Sequence, residues 1–273
     1  MIDRRGKSQY IPRTILRKES QCVELLFMEG VYMERSLIIG GTRGLGRELA
    51  REARKRNTTP IILGRSAGKG IPDERDAAFV EIECDLTDRE SIRDCVETLL
   101  ELGGIRYIFW NAGIFDKGRF VDKSYASLVQ IFQTIVFGPL DLIRQYLASA
   151  GEPIHLVSIC STTAYKVRSD ETAYAGAKAA QAQMTRGLAL ELQRDLPGSR
   201  ATLIFPGGMR TDFFKGSGID ASSFMDPAEV ARLAWDIVQR PYEDEIGEFR
   251  IEKGPTGVPR VDVEIPRPVY PRA

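Results

Sequence analysis

Tyr174 and Lys178 are the two residues of this sequence whose types and spacing are best suited to acid–base chemistry. In a helix, a spacing of four residues places both side chains on one face, within reach of a common ligand. A tyrosine has an ordinary pKa of about 10, and a neighbouring ammonium would lower it by favouring the phenolate. Such a pair could give a proton to a carbonyl oxygen or take one from an alcohol. The same spacing is also common on ordinary helix surfaces. Its position in the fold therefore has to indicate whether the two residues form a catalytic pair.

Ser161 lies thirteen residues before Tyr174, just past an apolar segment that is typical of a buried strand. Open α/β folds bind their ligands at the carboxyl ends of the strands, so a serine at this point can contact a bound ligand. Ser158 is a rival within the same segment, but strand alternation and spacing favour Ser161. Ser161, Tyr174 and Lys178 are therefore the predicted catalytic residues.

A glycine-rich segment separates the first predicted strand from the first predicted helix, and it reads Gly40-Gly41-Thr42-Arg43-Gly44-Leu45-Gly46. Glycines let the backbone turn sharply and approach a pyrophosphate, which the N–H groups and dipole of the helix N-terminus attract. The spacing differs from the G-x-G-x-x-G of the most common dinucleotide fold. A nucleotide-binding loop is the prediction, and a tight turn without a ligand is the alternative.

Arg65 follows the second predicted strand, where an acidic residue would bind the adenosine ribose hydroxyls of NAD. A guanidinium pairs well with the oxygens of a 2′-phosphate, and Arg43 in the glycine-rich segment could supply a second contact. These two residues favour NADP(H) as the cofactor. The alternative is that both are solvated surface arginines.

Taken in order over about residues 36–251, these motifs resemble the short-chain dehydrogenase/reductase family, in its NADP-preferring type. The family's T-G-x-x-x-G-x-G is present with Ile39 in place of the threonine. The other matching motifs are Asp85-Leu86, Asn111-Ala112-Gly113, the Y-x-x-x-K of Tyr174 and Lys178, and a P-G-x-x-x-T that begins at Pro206 and ends at Thr211.

The resemblance implies a carbonyl/alcohol oxidoreductase acting on a small molecule. In it Ser161 would hydrogen-bond the substrate oxygen, Tyr174 would exchange the proton, and Lys178 would also hold the nicotinamide ribose. It implies a homodimer or homotetramer as well, paired through the long helix near residues 125–148 and through the Tyr174 helix. With Tyr174 and Lys178, the implied cofactor-binding residues are Gly40, Thr42, Arg43, Gly44, Leu45, Gly46, Arg65, Asp85, Leu86, Asn111, Ala112, Gly113, Pro206, Gly207 and Thr211.

One departure from the family concerns proton supply. An asparagine in the long helix of family members orders a water that relays protons to the lysine, and the aligned residue here is Ile135. Isoleucine has no group that can hydrogen-bond a water. Gln133 or Thr134 could substitute only if the register shifts, and Pro139 could itself kink the helix. The departure supports an alternative function, an NADPH-binding regulatory or sensor protein with little turnover.

Short apolar segments alternate with amphipathic ones, which predicts a Rossmann-type α/β fold: a doubly wound parallel sheet of about seven strands with helices on both faces. Strands are predicted near residues 37–39, 61–63, 79–84, 105–110, 154–159, 201–205 and 249–251. Helices are predicted over residues 47–56, from a capping box at Thr87 and Glu90, over 125–148, over 173–195, and from Asp226 to about 239.

This catalytic domain is predicted over residues 35–252, between an N-terminal extension (1–34) and a Pro-rich tail (253–273). The extension is basic in its early part and is predicted to be flexible or loosely docked, although residues 15–32 permit a weak helical interpretation. Met33 directly precedes the first strong strand, so it could be the true start of translation. The tail is predicted to be extended. An aromatic, glycine-hinged segment over residues 212–225 is predicted to be a lid over an apolar substrate.

The overall composition excludes several classes of function. Lys+Arg and Asp+Glu are both 38, and this lack of a basic excess argues against a nucleic-acid partner. No uninterrupted apolar run approaches the roughly 20 residues that span a bilayer, so no membrane association is expected. Four scattered cysteines suit a reducing compartment and predict a cytoplasmic protein. The one histidine, His155, excludes a multi-histidine metal site, and a Ser-His hydrolase would have to use it.

Overall fold

The computed structural model of the chain describes residues 14–16, 34–69, 76, 79–240 and 246–262. One sheet of nine strands runs through it, in the order β1-β4-β3-β2-β5-β6-β7-β8-β9. Strands β1 to β8 are parallel, and β9 is antiparallel to β8. Their bounds are Thr14–Leu16, Arg35–Ile39, Thr59–Gly64, Val80–Glu83, Ile105–Trp110, His155–Ile159, Arg200–Pro206, Ile246–Lys253 and Pro259–Asp262. The seven predicted strands are all present, as β2 to β8.

Helices cover both faces of the sheet and enclose two hydrophobic cores. On one face α1 packs against α6, and on the other α2 packs against α4. Short apolar strands between amphipathic helices can bury both faces of a parallel sheet only in this way. The helices are α1 (Gly44–Lys55), α2 (Arg89–Leu102), α3 (Tyr125–Phe132), α4 (Gly138–Leu147), α5 (Thr172–Asp195) and α6 (Pro227–Val238). The predicted doubly wound α/β fold is confirmed.

The predicted capping box at the start of α2 is wrong. Asp88, and not Thr87, is the residue that caps the helix, since its carboxylate accepts a hydrogen bond from Glu90 N at 3.0 Å. The Thr87 hydroxyl instead donates to Asp85 Oδ1 at 2.8 Å. Thr87 therefore stabilises the loop after β4, and the helix begins one residue later than its sequence pattern predicts.

The long helix predicted over residues 125–148 is interrupted by one π-helical turn, Gln133–Phe137, between α3 and α4. The indole Nε1 of Trp110 donates a 2.8 Å hydrogen bond to the carbonyl oxygen of Ile135 inside this turn. Pro139 lies within the first turn of α4, after the irregularity and not at its centre. The deviation is thus a π turn, a common cause of helix deviations, fixed by a partner from β5.

This same helical segment, Tyr125–Leu147, has the length and apolar composition of a membrane-crossing helix, with a mean hydropathy of 1.5 over 18 residues. Of the residues in that window, 39% are buried inside the protein, and core helices of soluble proteins meet the same criterion. Among the described residues, this is the one segment that meets the criterion. The helix itself was predicted, but its membrane-like composition was not, because polar residues interrupt its apolar runs.

Two further strands extend the sheet beyond the seven that were predicted. Thr14–Leu16 pairs with β4 at one edge, so Ile15 and Leu16 are in a strand and not in the helix considered for residues 15–32. The remainder of that stretch, with Met33, lies outside the described residues. At the other edge, β8 extends through Lys253, and Pro259–Asp262 returns antiparallel to it. The described start of the tail is therefore part of the sheet, and residues 263–273 lie outside the description.

Candidate active site

A cavity of about 720 Å³ opens at the carboxyl ends of the parallel strands. It lies at β2, whose neighbours β3 and β5 are on opposite sides, so that the strand order reverses there. This switch point is the position at which open α/β sheets bind their ligands. The three predicted catalytic residues line it, and so do all predicted cofactor-binding residues except Gly46: Gly40, Thr42, Arg43, Gly44, Leu45, Arg65, Asp85, Leu86, Asn111, Ala112, Gly113, Ser161, Tyr174, Lys178, Pro206, Gly207 and Thr211.

The loop after β2 is held in a shape that only small residues permit. Gly40 has φ +84°, and a Cβ there would lie 2.7 Å from Ala112 Cα. Gly46 faces back into the loop, since its Cβ would lie 2.1 Å from the carbonyl oxygen of Gly40. That oxygen accepts a hydrogen bond from Asn111 Nδ2 at 2.9 Å. The loop thus places the N-terminus of α1 at the cavity. The phosphates of a dinucleotide would fit there, because the free N–H groups and the dipole of a helix N-terminus attract anions.

Arg43 and Arg65 are exposed side chains on the cavity wall. Arg47 and Arg51, which sequence reasoning missed, also line the cavity, but buried ion pairs with Asp76 hold them at 2.7 and 2.8 Å. Arg43 and Arg65 are therefore the cations better placed to meet an anionic ligand. The i,i+4 spacing of Arg47 and Arg51 on α1 was a visible signal, but their acidic partner is far away in sequence.

Asp85 and Leu86 lie on the wall near Arg65. Burial opposes ionisation of the Asp85 carboxyl, but hydrogen bonds from the backbone and hydroxyl of Thr87, together with the charge of Arg65, hold its pKa below the ordinary range. Asp85 is consequently an anion near neutral pH, and Arg65 is attracted towards this part of the wall.

Tyr174 and Lys178 come together on α5 beside Ser161, and all three are nearly buried, with exposures of 7%, 3% and 9%. Burial raises the pKa of Tyr174, while a side-chain hydrogen bond with Ser161 lowers it less and Glu171 raises it further. Lys178 was expected to be the group that lowers this pKa. Its ammonium donates its observed hydrogen bonds to groups other than the Tyr174 phenol.

The Lys178 ammonium donates hydrogen bonds to the carbonyl oxygen of Ile159 at 2.8 Å and to Gln181 Oε1 at 2.9 Å. Burial lowers the pKa of Lys178 to about 8. Gln181 was missed by sequence reasoning. Its Nε2 donates to Trp110 O and to Ser158 Oγ, each at 3.0 Å, so it links Lys178 to β5 and β6. Gln181 is three residues after Lys178 and therefore lies on the same side of α5. A single glutamine at this spacing was not enough to identify it as part of the site.

Ser158 and Ser161 have different surroundings. Ser158 is fully buried in β6 and is held by Gln181, whereas Ser161 lines the cavity and caps the short 3₁₀ turn Thr162–Ala164. The site therefore brings together Ser161, and not Ser158, with Tyr174.

Ile135 is fully buried in a hydrophobic cluster that includes Tyr174. Its side chain is aliphatic, and its carbonyl oxygen already accepts the Trp110 N–H. Thr134 lines the cavity from the same π turn, because the irregular turn changes the direction of successive side chains. From the sequence, Thr134 was expected to take the place of the asparagine only if the register shifted.

Aromatic rings form the wall beside Tyr174. The ring of Phe115 lies edge-on to Tyr174 at 5.1 Å between centroids and to Phe214 at 5.0 Å, and Phe213 lies 5.9 Å from Tyr174. Phe213 and Phe214 belong to the segment predicted to be a lid, which begins as a 3₁₀ turn capped by Thr211. Phe115 follows the Asn111-Ala112-Gly113 motif and was not predicted. This part of the cavity is apolar on the side where a substrate would meet Tyr174.

His155 is 3% exposed in β6 and hydrogen-bonds the Thr202 hydroxyl at 2.7 Å. Burial lowers its pKa to about 3, so the ring is neutral. This structural environment leaves no support for a Ser-His hydrolase.

The sheet order and the glycine loop at its switch point define a Rossmann-type fold with a nucleotide-sized cavity. The model of the short chain dehydrogenase family matches residues 34–221, and the chain belongs to that family of oxidoreductases. Short-chain dehydrogenase/reductase 3 of Homo sapiens is 28% identical over 218 residues, which are 76% of this chain and 72% of the relative.

Two further comparisons agree with this assignment. Carbonyl reductase family member 4 of Danio rerio is 24% identical over 226 residues, covering 76% of this chain and 92% of the relative. Among solved structures, a short chain dehydrogenase from Burkholderia cenocepacia in complex with NADP is 25% identical and has a TM-score of 0.69. That match covers 81% of this chain and 97% of the other.

Proposed function

We propose that this chain is an NADP(H)-dependent oxidoreductase that interconverts a carbonyl and an alcohol, with Tyr174 as the acid/base. The observation that carries the proposal is that one cavity holds the glycine loop and two exposed arginines together with Ser161, Tyr174 and Lys178. A nucleotide site and an acid–base site in one cavity suit hydride transfer coupled to proton transfer. The aromatic wall beside Tyr174 favours an apolar carbonyl substrate.

A bound NADPH would supply the hydride. The residues of the chain supply the rest: the α1 N-terminus and glycine loop hold phosphates, and Arg43 and Arg65 meet a 2′-phosphate. Ser161 orients the substrate oxygen, and Tyr174 protonates it. Burial raises the pKa of Tyr174, so the phenol is protonated near neutral pH and carries the proton that carbonyl reduction requires.

NADP(H) is proposed over NAD because the described residues of the loop after β3 present Arg65 and no carboxylate at the cavity wall. The 25%-identical Burkholderia cenocepacia dehydrogenase was solved with NADP, which supports the same choice.

The test is NADPH oxidation by the purified chain with a panel of aldehydes, ketones and quinones, beside the Tyr174→Phe variant. We expect turnover by the native chain and its loss, by about 100-fold or more, in the variant, because the aromatic ring remains and only the proton donor is removed. NADPH binding, followed by fluorescence, should be nearly unchanged in Tyr174→Phe. Equal turnover by the two proteins would contradict the proposed role of Tyr174.

A second candidate function is an NADPH-binding regulatory or sensor protein with little turnover. Ile135, whose side chain cannot hold a relay water, is the observation in its favour. Tight NADPH binding with no oxidation across the whole panel would favour the sensor over the enzyme.

A further inference from the structure

We propose that Thr163 and Glu171 carry protons between solvent and Tyr174, through Ser161. This inference rests on the proposed oxidoreductase function. It arises from a continuous set of side-chain contacts. Tyr174 and Ser161 line the same cavity, and hydrogen bonding by Ser161 lowers the pKa of the Tyr174 phenol. Ser161 Oγ donates to Thr163 Oγ1 at 3.1 Å, and Thr163 Oγ1 donates to Glu171 Oε2 at 3.5 Å. We call these four residues the hydroxyl chain.

Each member of the hydroxyl chain can both accept a proton and give one. Serine, threonine and tyrosine hydroxyls are donors and acceptors at once, and a carboxyl group can exist in either protonation state. The longest contact, from Thr163 to Glu171, is of the kind that shortens when a substrate binds, as catalytic hydrogen bonds in ligand-free enzymes often do. The chain is therefore chemically complete from Tyr174 to a carboxylate.

The route through Lys178 lacks this property. Its two observed partners are the Ile159 carbonyl oxygen and Gln181 Oε1, and neither atom carries a proton to give. At the neighbouring π turn, the Ile135 carbonyl is already bonded by the Trp110 indole. On the lysine side, the observed contacts thus hold the ammonium in place.

Glu171 stands where the hydroxyl chain can reach solvent. It precedes α5 and is 6% exposed, yet its side chain lines the open cavity. Arg168 also lines the cavity, lies 4.0 Å from the Glu171 carboxylate, and has a side chain that is 48% exposed. A proton can enter beside Arg168 and reach Glu171, and the hydroxyls of Thr163 and Ser161 then offer a direct path to Tyr174.

The proton balance of carbonyl reduction is complete with these groups. As hydride reaches the substrate carbon, the Tyr174 O–H bond breaks and its proton forms the alcohol, which leaves a phenolate. The phenolate takes the proton of Ser161, Ser161 takes that of Thr163, and Thr163 takes that of the Glu171 carboxylic acid. The resulting carboxylate is reprotonated by solvent, and alcohol oxidation runs the same transfers in reverse. The observed donor directions, from Ser161 to Thr163 and on to Glu171, are those that precede the oxidative transfer.

The test compares steady-state NADPH oxidation by Thr163→Val and Glu171→Gln with that of the native chain, and uses Thr162→Val as the matched control. Thr162 occupies the same 3₁₀ turn, but its hydroxyl lies outside the hydroxyl chain. We expect turnover to fall by about tenfold or more in Thr163→Val and in Glu171→Gln. Turnover should stay near the native value in Thr162→Val. NADPH binding should be nearly unchanged in all three, because the glycine loop, Arg43 and Arg65 are intact in each.

A second measurement separates proton transfer from a structural effect. Glu171→Ala should regain turnover several-fold when formate is added, because a small carboxylic acid can occupy the space beside Thr163. Formate should not restore turnover in Thr163→Val, since this variant interrupts the hydroxyl chain between Glu171 and Ser161.

Native turnover in Thr163→Val and Glu171→Gln, or loss of turnover in Glu171→Ala without formate rescue, would overturn the hydroxyl chain and leave the proposed function intact. A native chain that binds NADPH but reduces no member of the carbonyl panel would overturn both.

Discussion

At the scale of single residues, cofactor choice depends on Arg65. This exposed side chain lines the cavity near the Asp85 carboxylate, and its charge helps to keep that carboxyl ionised. Arg65→Asp should weaken NADPH binding by about tenfold or more, since a guanidinium–phosphate attraction becomes a carboxylate–phosphate repulsion. NADH binding should be retained or improved. Fluorescence titrations with both cofactors measure this preference, and an unchanged ratio would contradict the role of Arg65. Arg93→Asp, an exposed charge reversal on α2, is the control.

Residue types and spacing were sufficient to place Ser161, Tyr174 and Lys178 around one cavity, because the strand order of a parallel sheet brings its loops together. They were not sufficient to give the direction of a side chain. Lys178 directs its ammonium to the Ile159 carbonyl oxygen and to Gln181 Oε1. That direction depends on which acceptors the sheet presents to α5, and these are tertiary contacts that no local pattern records.

At the scale of secondary-structure elements, the close packing of the glycine loop can be tested by a substitution that adds one methyl group. In Gly46→Ala, the new Cβ would meet the Gly40 carbonyl oxygen at 2.1 Å, so α1 would have to move away from the loop. We expect a loss of stability of about 1–3 kcal/mol from this overpacking, together with weaker NADPH binding. Urea unfolding and a binding titration measure the two effects.

Gly187→Ala provides the matched control, since Gly187 also lies in a helix but a Cβ there meets nothing within 4 Å. Alanine should stabilise α5 by about 1 kcal/mol, because glycine is the poorer helix former. The same chemical change should therefore have opposite signs at the two positions. An unchanged free energy of unfolding for Gly46→Ala would contradict this prediction, because it would show that the loop relieves the close contact without losing stability.

The pattern of apolar residues located the strands β2 to β8 and the helices, because periodicity reports which face is buried. It missed the π turn in the long helix, which depends on the Trp110 indole reaching the Ile135 carbonyl from β5. It also missed β1 and β9, whose pairing at the two sheet edges depends on distant partners. Irregular turns and edge strands are determined by tertiary contacts more than by local sequence.

At the scale of the whole molecule, the outer surface of the long helical segment is too apolar for a surface that meets only water. Tyr125, Val129 and Phe137 are 82%, 39% and 51% exposed, and Phe120 and Val121 beside them are 58% and 74% exposed. Contiguous apolar surface of this kind marks interaction sites in soluble proteins. The membrane-like composition of this helix has the same origin. One side of the helix is buried, and the other side is apolar and exposed among the residues that the structure describes.

We therefore expect a homodimer or homotetramer that pairs through this surface, and light scattering coupled to size-exclusion chromatography measures it. The double variant Tyr125→Glu/Val129→Glu should shift the chain to a monomer, because each partner would then bury like charges without counter-charges. Leu100→Lys, which changes a 37%-exposed residue on α2, should leave the mass unchanged. A native monomer at micromolar concentration, or a double variant that still associates, would contradict this interface. Since the π turn between α3 and α4 contributes both Phe137 to this surface and Thr134 to the cavity, association would also constrain the wall of the active site.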